Sequence, residues 1–289
     1  MTIAVTGATG NLGGLAIDAL LRRGVPAGEV VAVVRDVSRG ADLAARGVGV
    51  RLGDYDRPET LSGAMAGVDR LLLVSGTETG RRVAQHQAVV DAAVTAGVAL
   101  VAYTSIPRSD TTKLLLAADH LATEELIDAS GIPFVFLRNS WYLEKYTGQL
   151  DRYLRKGEIV GACGAGPISA ATRADYADAA AAVLTGDDHA GAIYELGGDE
   201  AFTMSELATT VAEATGHAIS YRDLTLAQYT RRLVRSGIPK SVAALLADSD
   251  AGVARGDLFV TTGDLSRLIG HPATGYAQAV ADAAEGLAA

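Results

Sequence analysis

The chain has 289 residues, 49% of them hydrophobic and 20% charged, enough to bury a full core in one large domain or one domain with a smaller lobe. Its formal net charge of -9 argues against a nucleic-acid surface, which needs clustered Lys and Arg. No apolar run approaches the ~20 residues of a membrane helix, so no membrane association is expected.

The first predicted strand, Ile3–Thr6, runs straight into Gly7-Ala8-Thr9-Gly10-Asn11-Leu12-Gly13. A Gly-x-x-Gly-x-x-Gly turn between a strand and a helix is a phosphate-binding turn. Glycines let the backbone bend tightly and approach a pyrophosphate, while free N–H groups at the helix N-terminus hold its charge. Leu12, Leu15, Ala16, Ala19 and Leu20 then recur at three- and four-residue steps, which predicts a helix over Asn11–Arg23 that stops at Gly24. Together these features predict a nicotinamide dinucleotide site with Gly7, Gly10 and Gly13 around the pyrophosphate and Thr9, Asn11 and Leu12 beside it.

Further strands are predicted at Val30–Arg35, Val48–Leu52, Arg70–Ser75, Leu100–Ser105 and Phe134–Arg138. Between them, helical patterns cover Arg39–Arg46, Pro58–Ala66, Arg81–Ala96 and Ala117–Ser130, with stops at Gly47, Gly67, Gly97 and Gly131. Nearly all-apolar strands such as Leu71-Leu72-Leu73-Val74 are covered on both faces, which means a parallel sheet between layers of helices. Beyond it come an Ala-rich helix, Asp175–Leu184, and a strand, Ala192–Leu196. From Thr203 onward the pattern is mainly helical, broken at Gly216-His217, Ile238-Pro239 and His271-Pro272. The expected fold is α/β, a Rossmann-type doubly wound parallel sheet with a smaller, mostly helical C-terminal lobe. Residues 1–140, completed by about 171–200, form the dinucleotide-binding domain; 141–170 and 201–289 form the lobe, with a substrate cleft between the two.

At the end of the second strand, NAD-dependent dehydrogenases usually carry an acid for the ribose hydroxyls. This chain has Arg35 there, followed by Asp36. A guanidinium suits a 2′-phosphate, so NADPH is expected, with NADH as a weaker possibility; the plainer reading of Arg35 is a solvated strand-end charge. Asp54 is a candidate acceptor for the adenine amino group, or equally the cap of a Gly53-Asp54 turn. Nothing points to a metal site, because the five His are scattered without ligand spacing, and no flavin is called for. The single cysteine, Cys163, precludes an intramolecular disulfide and reads as a passive thiol. The N-terminal residues lack the charged head and apolar core of a signal peptide, so a cytoplasmic protein is expected.

Several stretches together carry a resemblance. They are Thr6–Gly13, Val33-Val34-Arg35, Ala102-Tyr103-Thr104-Ser105, Leu137-Arg138-Asn139-Ser140-Trp141-Tyr142 and Ala171-Thr172-Arg173-Ala174-Asp175-Tyr176, with Tyr194–Gly198 and Leu268–Pro272. In order and spacing the chain resembles the NmrA-like group of atypical short-chain dehydrogenases over nearly its whole length. The resemblance implies hydride transfer from NADPH to a small-molecule quinone, giving a hydroquinone. It also implies cofactor-lining loops at Ser75, Gly76 and Thr77, at Asn139, Trp141 and Tyr142, and at Thr172 and Arg173. Thr172 is equally placed to cap a helix.

Typical short-chain dehydrogenases place Ser after the fifth strand and Tyr-x-x-x-Lys on the next helix. Ser105 is kept here, but His120 and Glu124 stand where Tyr and Lys are expected, four residues apart on one helix face. Alcohol chemistry by the tyrosine route is therefore disfavoured. A quinone needs little acid help, because its hydroquinone anion is delocalised and can be protonated by water. His120 is then a candidate proton donor oriented by Glu124, or the two are merely an i,i+4 surface pair. Trp141, Tyr142 and Tyr103 are candidates to stack on a planar acceptor, against the alternative that Trp141 packs as core. The competing function is a non-catalytic NADP(H)-binding redox sensor of the NmrA type, for which loss of Tyr-x-x-x-Lys fits equally well. Monomer and homodimer are both open.

Overall fold

The computed structural model describes residues 1–288. In chain order its elements begin with β1 (Ile3–Val5), α1 (Asn11–Arg22), β2 (Val30–Val34), α2 (Ala41–Ala45), β3 (Gly49–Leu52) and α3 (Leu61–Met65). They continue with β4 (Arg70–Leu73), α4 (Arg82–Ala96), β5 (Leu100–Ser105), α5 (Ala117–Ala129) and β6 (Phe134–Asn139). Next come α6 (Glu144–Thr147), α7 (Leu150–Lys156), β7 (Glu158–Gly161), α8 (Arg173–Thr185) and β8 (Ala192–Leu196). The last are α9 (Met204–Thr215), β9 (Ser220–Asp223), α10 (Leu226–Arg235), α11 (Lys240–Arg255), α12 (Asp264–Ile269) and α13 (Tyr276–Ala288).

One seven-stranded sheet has the order β3-β2-β1-β4-β5-β6-β8. Neighbours from β3 through β6 pair in parallel, with Ile3 of β1 opposite Val30 on one side and Arg70 on the other. After β1 the chain builds outward through β2 and β3, then returns to add β4 to β6 on the other side. That reversal makes a Rossmann-type switch point between β1 and β4, where such sheets bind ligands beyond the strand carboxyl ends. All five residues of β2 and all six of β5 are buried, as expected for strands covered on both faces.

The predicted helices at Arg39–Arg46 and Pro58–Ala66 each begin as 3₁₀ turns, Val37–Gly40 and Pro58–Thr60, before α2 and α3. At the first, the Asp36 side chain accepts from Ser38 N and tightens the entry. A larger departure lies late in the chain. Ser220–Asp223, expected to be helical or connecting, is strand β9, paired in parallel with β7 from Glu158↔Ser220 to Gly161↔Asp223. Its residues are polar and mostly exposed, so no apolar alternation marks it, and its partner lies far earlier in the sequence.

The chain divides into two compact units. The first comprises Met1–Ser109, Ala118–Asn139 and Arg173–Tyr194; the second comprises Asp110–Ala117, Ser140–Thr172 and Glu195–Ala289. Asp110–Ala117, read from sequence as part of the dinucleotide-binding domain, groups with the second unit. The first unit has an apolar core of Val31, Val33, Leu61, Met65, Leu71, Leu73, Val89, Val101, Tyr103 and Phe136 with their neighbours. Its α8 buries Ala177 and Ala179 to Ala182, small side chains that let it lie close to α1, where Arg22 meets Asp178 at 2.7 Å. In the second unit, α9 and α10 both start with reciprocal capping boxes, Thr203 with Glu206 and Thr225 with Gln228.

Candidate active site

The turn after β1 is shaped by its glycines. Gly7 adopts φ +58°, Gly10 N donates to Gly7 O at 2.8 Å, and a Cβ at Gly13 would stand 2.3 Å from Gly7 O. Only glycine fits that approach at position 13. Thr6 fastens the turn to the next strand, donating from Oγ1 to Leu72 O and accepting from Val74 N at 3.0 Å. The α1 N-terminus has no side-chain cap and no acid in its first turn, so its N–H groups and positive dipole end are available to an anion. Gly7, Thr9, Gly10 and Asn11 are exposed along this rim, whereas Leu12 and Gly13 are buried beneath it.

Beyond β2, the Arg35 side chain is 69% exposed, with Glu78 at 3.5 Å as its ion-pair neighbour. Asp36 is occupied otherwise: its Oδ1 accepts from both Ser38 N and Ser38 Oγ, which holds its carboxyl below the usual range. The acid therefore caps a 3₁₀ turn, and the adjacent guanidinium is the more available charge. Asp54 takes the turn role, accepting from Asp56 N at 3.1 Å and Arg57 Nε at 3.0 Å. These bonds give its carboxylate the turn role, one of the two readings the sequence left open.

The loop Ser75–Thr77 is tied from below. Ser75 N donates to Thr104 Oγ1, Gly76 N donates to His86 Nε2 at 3.0 Å, and Arg82 Nε donates to Gly76 O at 2.7 Å. Because His86 Nε2 accepts, its proton sits on Nδ1, which faces Thr123 Oγ1 at 2.9 Å; Thr123 in turn donates to Asp119 O. Burial, reinforced by Arg82, pulls the His86 pKa down to about 4, so the ring is neutral and the chain of bonds stays intact near neutral pH.

The α5 pair departs from expectation. His120 Nδ1 lies 2.9 Å from the Tyr103 hydroxyl, and Glu124 points elsewhere. Glu124 accepts from Ser105 Oγ at 2.5 Å, Ser109 Oγ at 2.8 Å, Arg138 Nε at 3.1 Å and an Arg138 terminal nitrogen at 2.7 Å. With both oxygens engaged, Glu124 is the hub joining β5, α5 and β6 and does not orient His120. Ser105 likewise spends its hydroxyl on Glu124. Burial, then Arg82 and His86, pull the His120 pKa down to about 3, which makes it a neutral imidazole rather than an imidazolium donor. Tyr103 is fully buried in the sheet core, so it is not a stacking surface. At the end of β6, Asn139 is only 4% exposed, and neither its Oδ1 nor its Nδ2 has a hydrogen-bond partner among the described residues. A buried amide left with both functions open is costly unless a ligand completes it.

In the second unit, Trp141 and Tyr142 are half-buried on a segment fixed by Ala171 N to Trp141 O and Leu143 N to Ala171 O. Lys145 Nζ sits 5.1 Å from the centre of the Trp141 ring. Thr172 ends this unit and Arg173 opens α8 in the first; both are half-buried. Cys163 is buried, and burial pushes its thiol pKa up, in keeping with an unreactive sulfur. Among the described residues no group of three or more His, Cys, Asp or Glu is placed to hold a metal ion, and no helix is long and apolar enough to cross a membrane.

The profile of the NmrA-like family matches residues 1–253. The chain belongs to that family. This NmrA-like protein is 44% identical over 278 residues to quinone oxidoreductase 2 of Escherichia coli, covering 96% of this chain and 97% of that one. The crystal structure of the E. coli NADPH-dependent quinone oxidoreductase complexed with NADPH has a TM-score of 0.95, covering 97% of this chain and 99% of that one at 44% identity. Triphenylmethane reductase of Citrobacter sp. complexed with NADP(H) has a TM-score of 0.92 at 38% identity, covering 98% and 100%.

Within this NmrA-like chain, sequence reasoning missed His86, Ser109, Thr123 and the role of Arg138. Arg138 left a legible signal: a guanidinium that continues a buried strand directly after the apolar run Phe134–Leu137 requires a buried partner. His86 left none, since it sits among polar helix residues and its partners come from another loop and another helix.

Proposed function

We propose that this protein is an NADPH-dependent reductase that passes a hydride to a quinone. Similarity to quinone oxidoreductase 2 along nearly the whole chain carries the reading, and the uncapped, glycine-shaped turn fits a dinucleotide. NADPH, when bound, supplies the hydride. The α1 N-terminus would hold the pyrophosphate, and Arg35 the 2′-phosphate. Asn139 offers its amide N–H donors and its carbonyl acceptor to the bound dinucleotide, an assignment its open amide supports. The quinone gains the hydride and one proton to become hydroquinone, and the proton comes from water, because His120 is uncharged and Glu124 is held by Arg138. We place the protein in the cytoplasm, on its single, buried cysteine.

The test is loss of nicotinamide absorbance when the protein is mixed with NADPH and benzoquinone, against a no-protein control. Turnover without added metal or flavin, and little reaction with aliphatic ketones, is the expected result. Dinucleotide binding with only background quinone reduction would favour the sensor reading instead.

Two further outcomes follow from the same site. Arg35→Ala should weaken NADPH far more than NADH, by about 1.5–3 kcal/mol or roughly ten- to a hundredfold, the worth of one charge-assisted contact. Equal weakening of both dinucleotides, measured by titration, would return Arg35 to a solvated charge. His120→Gln should lower kcat by less than about tenfold, whereas an essential general acid contributes ~100-fold or more. The wild-type kcat should show no ionisation near the ordinary His pKa of about 6.5, because the His120 ring is already neutral there. A bell with a limb near that value, abolished in His120→Gln, would restore His120 as the acid.

A further inference from the structure

Beneath the loop that follows β4 lies a set of buried bonds whose direction is fixed at every step. Gly76 N donates to His86 Nε2 at 3.0 Å, His86 Nδ1 donates to Thr123 Oγ1 at 2.9 Å, and Thr123 Oγ1 donates to Asp119 O at 2.8 Å. Arg82, one helical turn before His86, donates from Nε to Gly76 O at 2.7 Å and places Nη1 3.4 Å from Asp119 Oδ2. His86, Thr123 and Arg82 are all buried. Two side chains of α4 therefore grip the N–H and the C=O of Gly76, and α5 holds both of those side chains. The loop so held crosses the sheet: Ser75 N is tied to Thr104 of β5, while Glu78 reaches within 3.5 Å of Arg35 beyond β2. Between those anchors it passes the carboxyl ends of β4 and β1, where the uncapped α1 N-terminus opens.

We propose that His86 and Thr123 are positioning residues for the dinucleotide: Thr123 fixes the His86 proton on Nδ1, and the bare Nε2 then holds the Ser75–Thr77 loop in the shape that receives NADPH. Which nitrogen of a neutral imidazole carries the proton is set by the bond the other makes. The Thr123 hydroxyl has one proton and spends it on Asp119 O, so toward the ring its oxygen only accepts. A proton on Nε2 would face the Gly76 N–H, donor against donor, and the loop would have to move off the ring. Both residues have no exposed surface for a ligand, so they act on the cofactor through the loop backbone alone. The part assigned to the loop rests on the NADPH-binding reading; the bonds beneath it do not.

The test is calorimetric titration of the full-length protein with NADPH. Thr123→Val keeps the shape of the side chain and removes the hydroxyl. It should weaken NADPH about three- to tenfold, the loss of one neutral hydrogen bond passed on to the loop, and Thr123→Ser should restore wild-type affinity. His86→Gln, whose side-chain carbonyl can accept from Gly76 N, should stay within about threefold of wild type, whereas His86→Phe should lose roughly tenfold or more. With benzoquinone as acceptor, Thr123→Val should raise the KM for NADPH and leave kcat within about twofold, because the relay reaches the cofactor loop and not the hydride acceptor. Labelling with ¹⁵N-histidine reads the relay itself: one of the five His should carry its proton on Nδ1 in the wild type, and that signal should vanish in His86→Gln. Wild-type NADPH affinity in a folded Thr123→Val protein, a loss that Thr123→Ser does not restore, or a His86 proton found on Nε2 would overturn the inference and leave the proposed function standing. A wild-type protein that binds no NADPH would instead remove the proposed function, and the role of the loop with it.

Discussion

Glu124→Leu is expected to cost about 3–5 kcal/mol of folding stability, and adding Arg138→Met to recover most of that loss. The two side chains are almost fully buried, and the carboxylate takes two bonds from the guanidinium and one from each of Ser105 and Ser109. Removing the acid alone takes a counter-charge and two hydrogen bonds from a buried guanidinium, the situation that makes single substitutions in buried pairs so damaging. Replacing both partners with apolar groups of similar volume removes the desolvation penalty together with the attraction. The two serine hydroxyls would still lack their acceptor, so recovery should stop short of wild type. Urea denaturation of the wild type, both single variants and the double variant closes the cycle. Additive losses in the double variant, or a single-variant loss under about 1 kcal/mol, would show that the pair is not the clamp its geometry describes.

Gly10→Val is expected to abolish NADPH binding while the protein stays folded. Gly10 is exposed on the rim of the turn, and its Cβ would meet only Gly7 O, at 3.1 Å, a contact a small shift relieves. The branched side chain would instead fill the space a pyrophosphate needs beside the α1 N-terminus. Gly13→Ala makes the contrast. Its Cβ would lie 2.3 Å from Gly7 O and 2.7 Å from the Gly7 carbonyl carbon, so the turn must open and stability should fall along with binding. Calorimetric titration with NADPH and thermal unfolding of both variants separate the two effects. Wild-type NADPH affinity in a folded Gly10→Val protein would remove the turn from the binding site.

The α/β alternation and the glycine turn were legible in the amino-acid sequence because their causes are local. A run such as Val30-Val31-Ala32-Val33-Val34 allows few structures except a strand buried on both faces, and the turn's glycines act on neighbours three residues away. The availability of Arg35 was also foreseeable, although only the structure shows Asp36 turned aside to cap Ser38.

Tertiary structure alone decided where the buried polar side chains spend their bonds. The helical spacing of His120 and Glu124 suggested a pair, yet β5 supplies Tyr103 to one, while β6 supplies Arg138 and the β5–α5 segment supplies Ser105 and Ser109 to the other. Spacing along a helix fixes which side chains share a face but not which strands pack beneath it. The same holds for β9, whose polar residues become a strand only through pairing with β7, and for His86, whose partners lie on the β4–α4 loop and on α5. No periodicity records that they meet. The sequence by itself determined the sheet and the phosphate turn, because backbone preference and burial act over a few residues; the partners of each buried charge and phenol were decided by packing over the whole fold.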